Sequence, residues 1–111
     1  MDRKTLEKII DNRLAVCKDT LINKSNGYSR NADMFHNFKV AAAMTGTTPE
    51  KALQGMWVKH IVSVFDIIND CPDRIPSKDV LAEKIGDFIN YALLLEGMIE
   101  ERRSLMKEKA L

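Results

Sequence analysis

Apolar residues recur every three or four positions along most of this chain, which is the spacing of amphipathic helices. In the first stretch the apolar positions are Leu6, Ile9, Ile10, Leu14, Val16, Cys17 and Leu21. They predict a helix over 3–23, which ends before Asn26-Gly27 because this pair does not continue a helix well. No segment has the strict alternation of a strand. The fold class that we expect is therefore all-α.

Two further helices are predicted from their cap residues. A second helix starts near Asp33, because aspartate favours the N-cap position. Thr48 and Pro49 predict the start of a third helix, with a capping box of Thr47 and Glu50 as the alternative. This helix is expected to run to about residue 69.

A fourth helix is predicted over 78–107, after the prolines within 71–76 have ended the third. Its charged end, 100–111, is expected to fray or protrude. The whole chain, 1–111, is long enough for one domain with one core, so we expect a four-helix bundle-like domain with its core at about 27–101. The long fourth helix also leaves an apolar flank that favours a homodimer or higher homo-oligomer: Leu93, Leu94, Met98 and Leu105.

Polar residues at helical spacing form stripes on the third and fourth helices. The fourth helix has Glu83, Asp87, Asn90 and Tyr91. The third has Lys59, His60, Ser63, Asp66 and Asp70. Asp and Asn are weak helix formers, so their position among large apolar residues favours a site. If the two helices pack antiparallel, a lysine facing carboxylates could bind a phosphate, directly or beside a cation; the alternative is solvated charges on outer faces.

The segment before the second helix adds polar candidates. Tyr28 lies in a run of Asn, Gly, Ser and Arg residues, and His36 and Asn37 follow at the start of the helix. Such residues beside a helix N-terminus suit a base or a phosphate, because the helix end offers free amide donors. Ordinary turn chemistry explains the Asn-Gly pair equally well, and a histidine is more often structural than catalytic.

Composition excludes several classes of protein. The formal net charge is +1 with acids and bases interspersed, so nucleic acid is an unlikely partner. The two cysteines are too few and too far apart for a zinc site or a disulfide scaffold. No run approaches the ~20 apolar residues of a membrane span, so we expect a cytoplasmic protein without membrane contact. Nucleotide-loop, zincin and serine-hydrolase motifs are missing, which leaves carboxylates and a metal as the source of any chemistry.

Five short motifs occur in an order that resembles a known family. They are Gly27-Tyr28, Phe35-His36-Asn37-Phe38, Thr48-Pro49-Glu50-Lys51-Ala52-Leu53, Lys59-His60 and Asp87-Phe-Ile-Asn90-Tyr91-Ala92. Together they resemble the small helical nucleotide modification associated proteins encoded largely by phages, over about residues 27–101. That family is similar in turn to the MazG-like all-α nucleoside triphosphate pyrophosphohydrolases, whose four-helix modules oligomerise and hold magnesium with acids from two helices.

The resemblance implies a nucleotide or nucleoside triphosphate as partner, magnesium as cofactor and the cytoplasm, the host's if the chain is phage-encoded, as location. It implies hydrolysis between the α and β phosphates, with Lys59 and Asp87 in catalytic roles. The implied magnesium ligands are Asp66, Glu83 and Asp87. The implied nucleotide contacts are Tyr28, His36, Asn37, Lys59, His60, Asn90 and Tyr91.

The chain departs from the MazG pattern at both acidic elements. Where that pattern has EExxE, this chain has Lys59-His60-Ile-Val-Ser63-Val-Phe-Asp66, and in place of ExxD the acids Glu83 and Asp87 stand four apart. A magnesium ion with two or three acids would depend more on water and substrate phosphates. Two alternatives therefore stay open: a non-enzymatic helical module that binds a nucleotide or a partner, and a plain dimerisation module.

Overall fold

The computed structural model describes residues 1–23 and 33–110, with side chains up to residue 108, so the predicted nucleotide contact Tyr28 lies outside the described residues. The helices are α1 (Arg3–Lys18), α2 (His36–Thr45), α3 (Pro49–Asp70) and α4 (Lys78–Ala110), and a π-helical turn, Asp19–Asn23, continues α1. The described residues contain no strand, which confirms the all-α class and the four helices. None of the helices in this part of the chain is both long and apolar enough to cross a membrane.

Local cap residues determine where α3 and α4 begin. Thr48 accepts the backbone N–H of Lys51 at 3.2 Å and Pro49 is the first helical residue, as predicted from the first of the two capping alternatives. At the start of α4 the hydroxyl of Ser77 accepts the N–H of Val80 at 3.2 Å. Each cap satisfies one of the amide donors that a helix N-terminus leaves unpaired.

The start of α2 differs from the prediction by two residues. The carboxylate of Asp33 accepts the N–H of Phe35 at 2.9 Å, and its carbonyl accepts the N–H of His36 at 3.2 Å. These bonds form a turn, so the helix begins at His36 rather than directly after Asp33. At the other end Gly46 has φ of +66°, a left-handed conformation that glycine adopts without strain and that ends the helix.

Helix α4 is the neighbour that α1 and α3 share. Helices α3 and α4 run antiparallel, with the rings of Trp57 and Phe88 5.7 Å apart between them, and α2 packs on α3. Helix α1 lies parallel to the first half of α4. Its Arg13 donates to the carbonyl of Ala82 at 3.4 Å, and one turn later Cys17 reaches the carbonyl of Gly86 at 3.9 Å.

The core is small and lies where α2, α3 and α4 meet. Phe38, Leu53 and Met98 are its buried members, and the half-buried residues packed against them are Phe35, Trp57, Tyr91, Leu94 and Leu95. A side chain at Gly97 would place its Cβ 2.9 Å from the ring of Phe35, so glycine is what lets α2 approach α4 there. Met98, which the sequence analysis assigned to an exposed flank of α4, is a core residue instead.

Two ion-pair clusters hold the second half of α4 in place. Lys39 lies 2.8 Å from both Asp33 and Glu101, which connects α2 to α4. Arg102 forms two bonds with Glu50, of 2.6 and 2.8 Å, which connects α3 to α4. The bonds from Arg102 lower the pKa of Glu50, and those to Asp33 and Glu101 raise the pKa of Lys39. The charged segment 100–111 is thus bound to α2 and α3 through its first residues, Glu101 and Arg102.

Candidate functional site

Three of the predicted site residues form a cluster between α3 and α4. Asp87 and Tyr91 lie one turn apart on α4, and His60 of α3 faces both. The His60 Nδ1 is 3.6 Å from the Asp87 Oδ2, which is longer than a hydrogen bond, and the His60 and Tyr91 rings are 4.8 Å apart. The His60 side chain is 16% exposed and that of Asp87 38%. Burial, and then the charge of Asp87, raise the pKa of the Tyr91 phenol, so it stays protonated.

Asp87 also reaches a cleft of about 250 Å³ between α1 and α4. We call it the α1–α4 cleft, and its polar lining residues are Arg13, Cys17, Thr20, Glu83, Asp87 and Asn90. Because α1 and α4 run parallel, equivalent turns of the two helices supply these groups. The cleft thus combines a guanidinium, a hydroxyl, an amide and two carboxylates.

After the Cys17 thiol, Asn90 is the most deeply buried polar residue of this cleft. Only 8% of the residue is exposed, and its Oδ1 atom is buried with no hydrogen-bond partner among the described residues. Proteins leave few buried polar atoms unpaired, because each costs about 1–3 kcal/mol relative to a paired one. An amide in this state is suited to accept a hydrogen bond from a bound molecule.

The thiol of Cys17 is unreactive in this cleft. Burial raises the pKa of its thiol, and Asp87 raises it further against a lowering effect from Arg13. The thiol therefore stays protonated and directs its hydrogen to the carbonyl of Gly86, so it acts as a packing group and weak donor rather than as a nucleophile.

The other predicted residues lie elsewhere. Lys59 is exposed, and His60 rather than Lys59 is the α3 side chain beside Asp87. Asp66 is exposed and lines a separate cleft of about 380 Å³ between α3 and the start of α4. His36 and Asn37 are on α2, half-buried and exposed respectively, and neither lines the α1–α4 cleft.

The acids predicted to hold magnesium are divided between two clefts. Glu83 and Asp87 line the α1–α4 cleft, whereas Asp66 belongs to the other. Within the described part of the chain, no group of three or more His, Cys, Asp or Glu side chains lies close enough to hold a metal ion. The described side chains thus do not form the three-acid set, and we derive no step that passes through magnesium.

Sequence reasoning missed the contribution of α1. Arg13, Cys17 and Thr20 recur at spacings of four and three, so they share one side of a helix. The sequence contained one signal of this contribution, the charged Arg13 at helical spacing among the apolar residues of α1. Their partners on α4 lie 69 residues further along the chain, which no local pattern reveals.

Comparison with known proteins adds no relative: no protein-family model, curated protein or solved structure matches this chain. The family resemblance therefore rests on the short motifs alone. The function has to be argued from the α1–α4 cleft and the cluster beside it.

Proposed function

We propose that this chain binds a nucleoside or nucleotide, with the base or sugar in the α1–α4 cleft and Asn90 as its central contact. The unpartnered oxygen of the buried Asn90 amide carries the proposal. A ligand N–H or O–H bonded to this oxygen would remove the free-energy cost of leaving it unpaired. The same amide also carries N–H donors, so it can pair with a base edge that offers both a donor and an acceptor.

The other groups of the cleft match the same class of ligand. The carboxylate of Asp87 accepts hydrogen bonds from amino or hydroxyl groups, the hydroxyl of Thr20 both donates and accepts, and the guanidinium of Arg13 donates. Bases and sugars offer donors and acceptors in this mixture. A purely apolar ligand would leave all of these groups unpaired.

Size and charge indicate which part of a nucleotide enters. At about 250 Å³ the cleft is below the ~300–1,000 Å³ typical of pockets that enclose a drug-sized ligand, so it fits a base or a sugar rather than a whole nucleotide. Its carboxylates, Glu83 and Asp87, outnumber its one cation, Arg13. Phosphates are repelled by this balance, so the uncharged end of the ligand enters and the phosphates stay outside.

Binding does not require the three-acid set that the family resemblance implies for hydrolysis. The proposal therefore corresponds to the non-enzymatic alternative of the sequence analysis, a helical module that binds a nucleotide. Hydrolysis of a triphosphate, with Lys59 and Asp66 in their implied roles, is a separate prediction. Phosphate release, measured in the presence of magnesium with the same nucleotides, tests it directly.

The test of binding is a panel of nucleosides and nucleotides, with and without magnesium, read by thermal shift and calorimetry. We expect at least one compound to raise the Tm of the wild-type protein. The Asn90→Leu variant should lose this shift and be no less stable than the wild type, because a similar-sized apolar side chain replaces an unpaired polar one.

The matched control is Asn12→Leu, which makes the same exchange at an exposed position of α1. This variant should keep the ligand-induced shift. If no compound stabilises the wild type, or if Asn90→Leu binds as tightly as Asn12→Leu, the proposal is wrong.

A further inference from the structure

The side of the α3–α4 pair that faces away from α1 and α2 is apolar and uncovered. We call it the outer face and define it by six residues that are 41–61% exposed: Val58, Val62, Phe65, Ile68, Leu81 and Ile99. On α4, Leu81 and Ile99 are eighteen residues, or five full turns, apart and so point the same way. Ile99 is two and a half turns from Asn90, so the outer face and the α1–α4 cleft lie on opposite sides of α4.

A groove along this face joins the two helices. It has a volume of about 490 Å³, and its apolar lining residues are Leu53, Trp57, Val58, Ile61 and Leu95. Apolar residues on α4 follow the spacing four, three, four, three, four, at Leu81, Ile85, Phe88, Ala92, Leu95 and Ile99. This is the heptad spacing by which helices pack side by side in bundles, and the α3–α4 contact covers only part of it.

The exposed surface of the chain exceeds that of a compact monomer. Its accessible surface is 8700 Å², against about 6,200 Å² expected for 12.6 kDa. The ten residues outside the described ranges, about 1.1 kDa, would account for at most ~1,600 Å² if fully extended. The remaining excess, about 900 Å², belongs to the whole chain, and the outer face contributes to it together with exposed apolar residues elsewhere, such as Leu6 and Met106. For comparison, each partner buries ~800 Å² in a standard interface.

The charges of this surface are compatible with a second copy of this chain as the partner. In a two-fold symmetric interface identical side chains meet near the axis, so a charged residue there would face its own copy and be repelled. The six residues of the outer face carry no charge, and the formal net charge of the whole chain is only +1. Neither the face nor the net charge therefore opposes self-association.

We propose that the outer face is the interface of a two-fold symmetric homodimer, in which the α3–α4 pairs of two copies form a four-helix core. This assignment does not depend on ligand binding. It also moves the interface from the flank of α4 that the sequence predicted, which includes the buried Met98, to the side that α4 shares with α3.

Sedimentation of the full chain under reducing conditions tests this assignment. At about 50 µM, well above a micromolar Kd, the wild type should sediment as a dimer. Phe65→Asp places a charge in the centre of the face, where the side chain is 57% exposed, and should weaken self-association by at least ~10-fold. The control is Met44→Asp on α2, where an 82% exposed apolar side chain lies outside the face. This control should stay dimeric.

The single tryptophan gives an independent signal. Trp57 lines the groove, so its emission should shift to longer wavelength when the wild type is diluted into its monomeric range. A monomeric wild type, a fully dimeric Phe65→Asp protein, or equal losses from Phe65→Asp and Met44→Asp would each overturn the assignment. If circular dichroism shows that Phe65→Asp is unfolded, Val62→Lys on the same face is judged by the same criteria.

Discussion

The two sides of α4 differ in what they leave without a contact: one has an unpaired polar atom, and the other has exposed apolar side chains. On the side of α1, the oxygen of the buried Asn90 amide has no hydrogen-bond donor opposite it among the described residues. On the side of α3, apolar side chains such as Phe65 and Ile99 are exposed. Among the residues that the structure describes, the indole nitrogen of Trp57 is the one buried polar atom on this side without a partner. A polar atom needs a partner in one direction and at one distance, whereas apolar side chains need only area.

This difference decides what each side can recognise. Directional groups in a cleft of about 250 Å³ select a small molecule by its pattern of donors and acceptors. A flat heptad-spaced face selects another helical surface of matching shape. One helix can therefore serve both a ligand site and a subunit interface, and substitutions on one side should leave the other intact.

The largest expected effect separates the core from the outer face. Met98→Ala truncates a core residue that is 3% exposed and does not line the groove, so it should lower the free energy of unfolding by about 2–5 kcal/mol at any protein concentration. Phe65→Ala should lower the Tm only at concentrations where the dimer forms, because a partner stabilises the folded state by mass action. Melting curves at two concentrations about 100-fold apart measure both effects. A Phe65→Ala cost that is the same at both concentrations would contradict the dimer.

The next largest effect concerns the cleft. Asp87→Asn removes the carboxylate that lies in the α1–α4 cleft and 3.6 Å from His60, so nucleoside affinity should fall by about tenfold, the value of one lost charged hydrogen bond. Stability should change by less than ~1 kcal/mol, because the side chain is partly exposed and pairs only at long range. A titration and a thermal melt of the same variant give both numbers.

Asp66→Asn is the control for this prediction, since Asp66 lines the other cleft. It should leave affinity unchanged. Marked destabilisation by Asp87→Asn, with affinity retained, would mean that Asp87 holds the helices together and has no role in binding.

The smallest effect is a pH dependence at the ion pair of Glu50 and Arg102, at the edge of the groove between α3 and α4. The pKa of Glu50 is lowered from its usual 4.5 by the hydrogen bonds of Arg102, so the folded state binds this proton less tightly than the unfolded state. The stabilisation is present above pH 4.5 and is lost as the pH falls through the lowered value. Glu50→Gln should therefore flatten the fall in Tm between about pH 5 and pH 3. An unchanged slope would show that the pair contributes nothing.

Sequence patterns predicted those parts of the molecule that short-range chemistry determines. Thr48 and Pro49 predicted the start of α3, because a cap and its amide donors lie within four residues of each other. The start of α2 was wrong because Asp33 caps a turn and not the helix itself. Both helix starts depend on hydrogen bonds between residues two or three positions apart, so the residues that determine them stand together in the sequence.

The cleft was only partly predictable, for a physical reason. Asp87 and Asn90 were identified because polar residues within an apolar helix are conspicuous, but Arg13 and Cys17 were not, since their role depends on α1 packing against α4. The sequence analysis expected Lys59 to face Asp87, whereas in the structure His60 lies beside it. This difference also depends on helix packing. Adjacent helical residues point about 100° apart, and the packing of α3 on α4 decides which of them faces the partner.

The parallel contact between α1 and α4 has a consequence for the order of folding. Arg13 and Ala82 are 69 residues apart in sequence, whereas α2, α3 and α4 follow one another and can pair across short connections. Contacts between distant segments form late, because the loop between them must lose its conformational freedom first. On the ribosome the cleft cannot exist until the first half of α4 has emerged, so we expect α1 to remain without its partner helix for most of the synthesis of this chain.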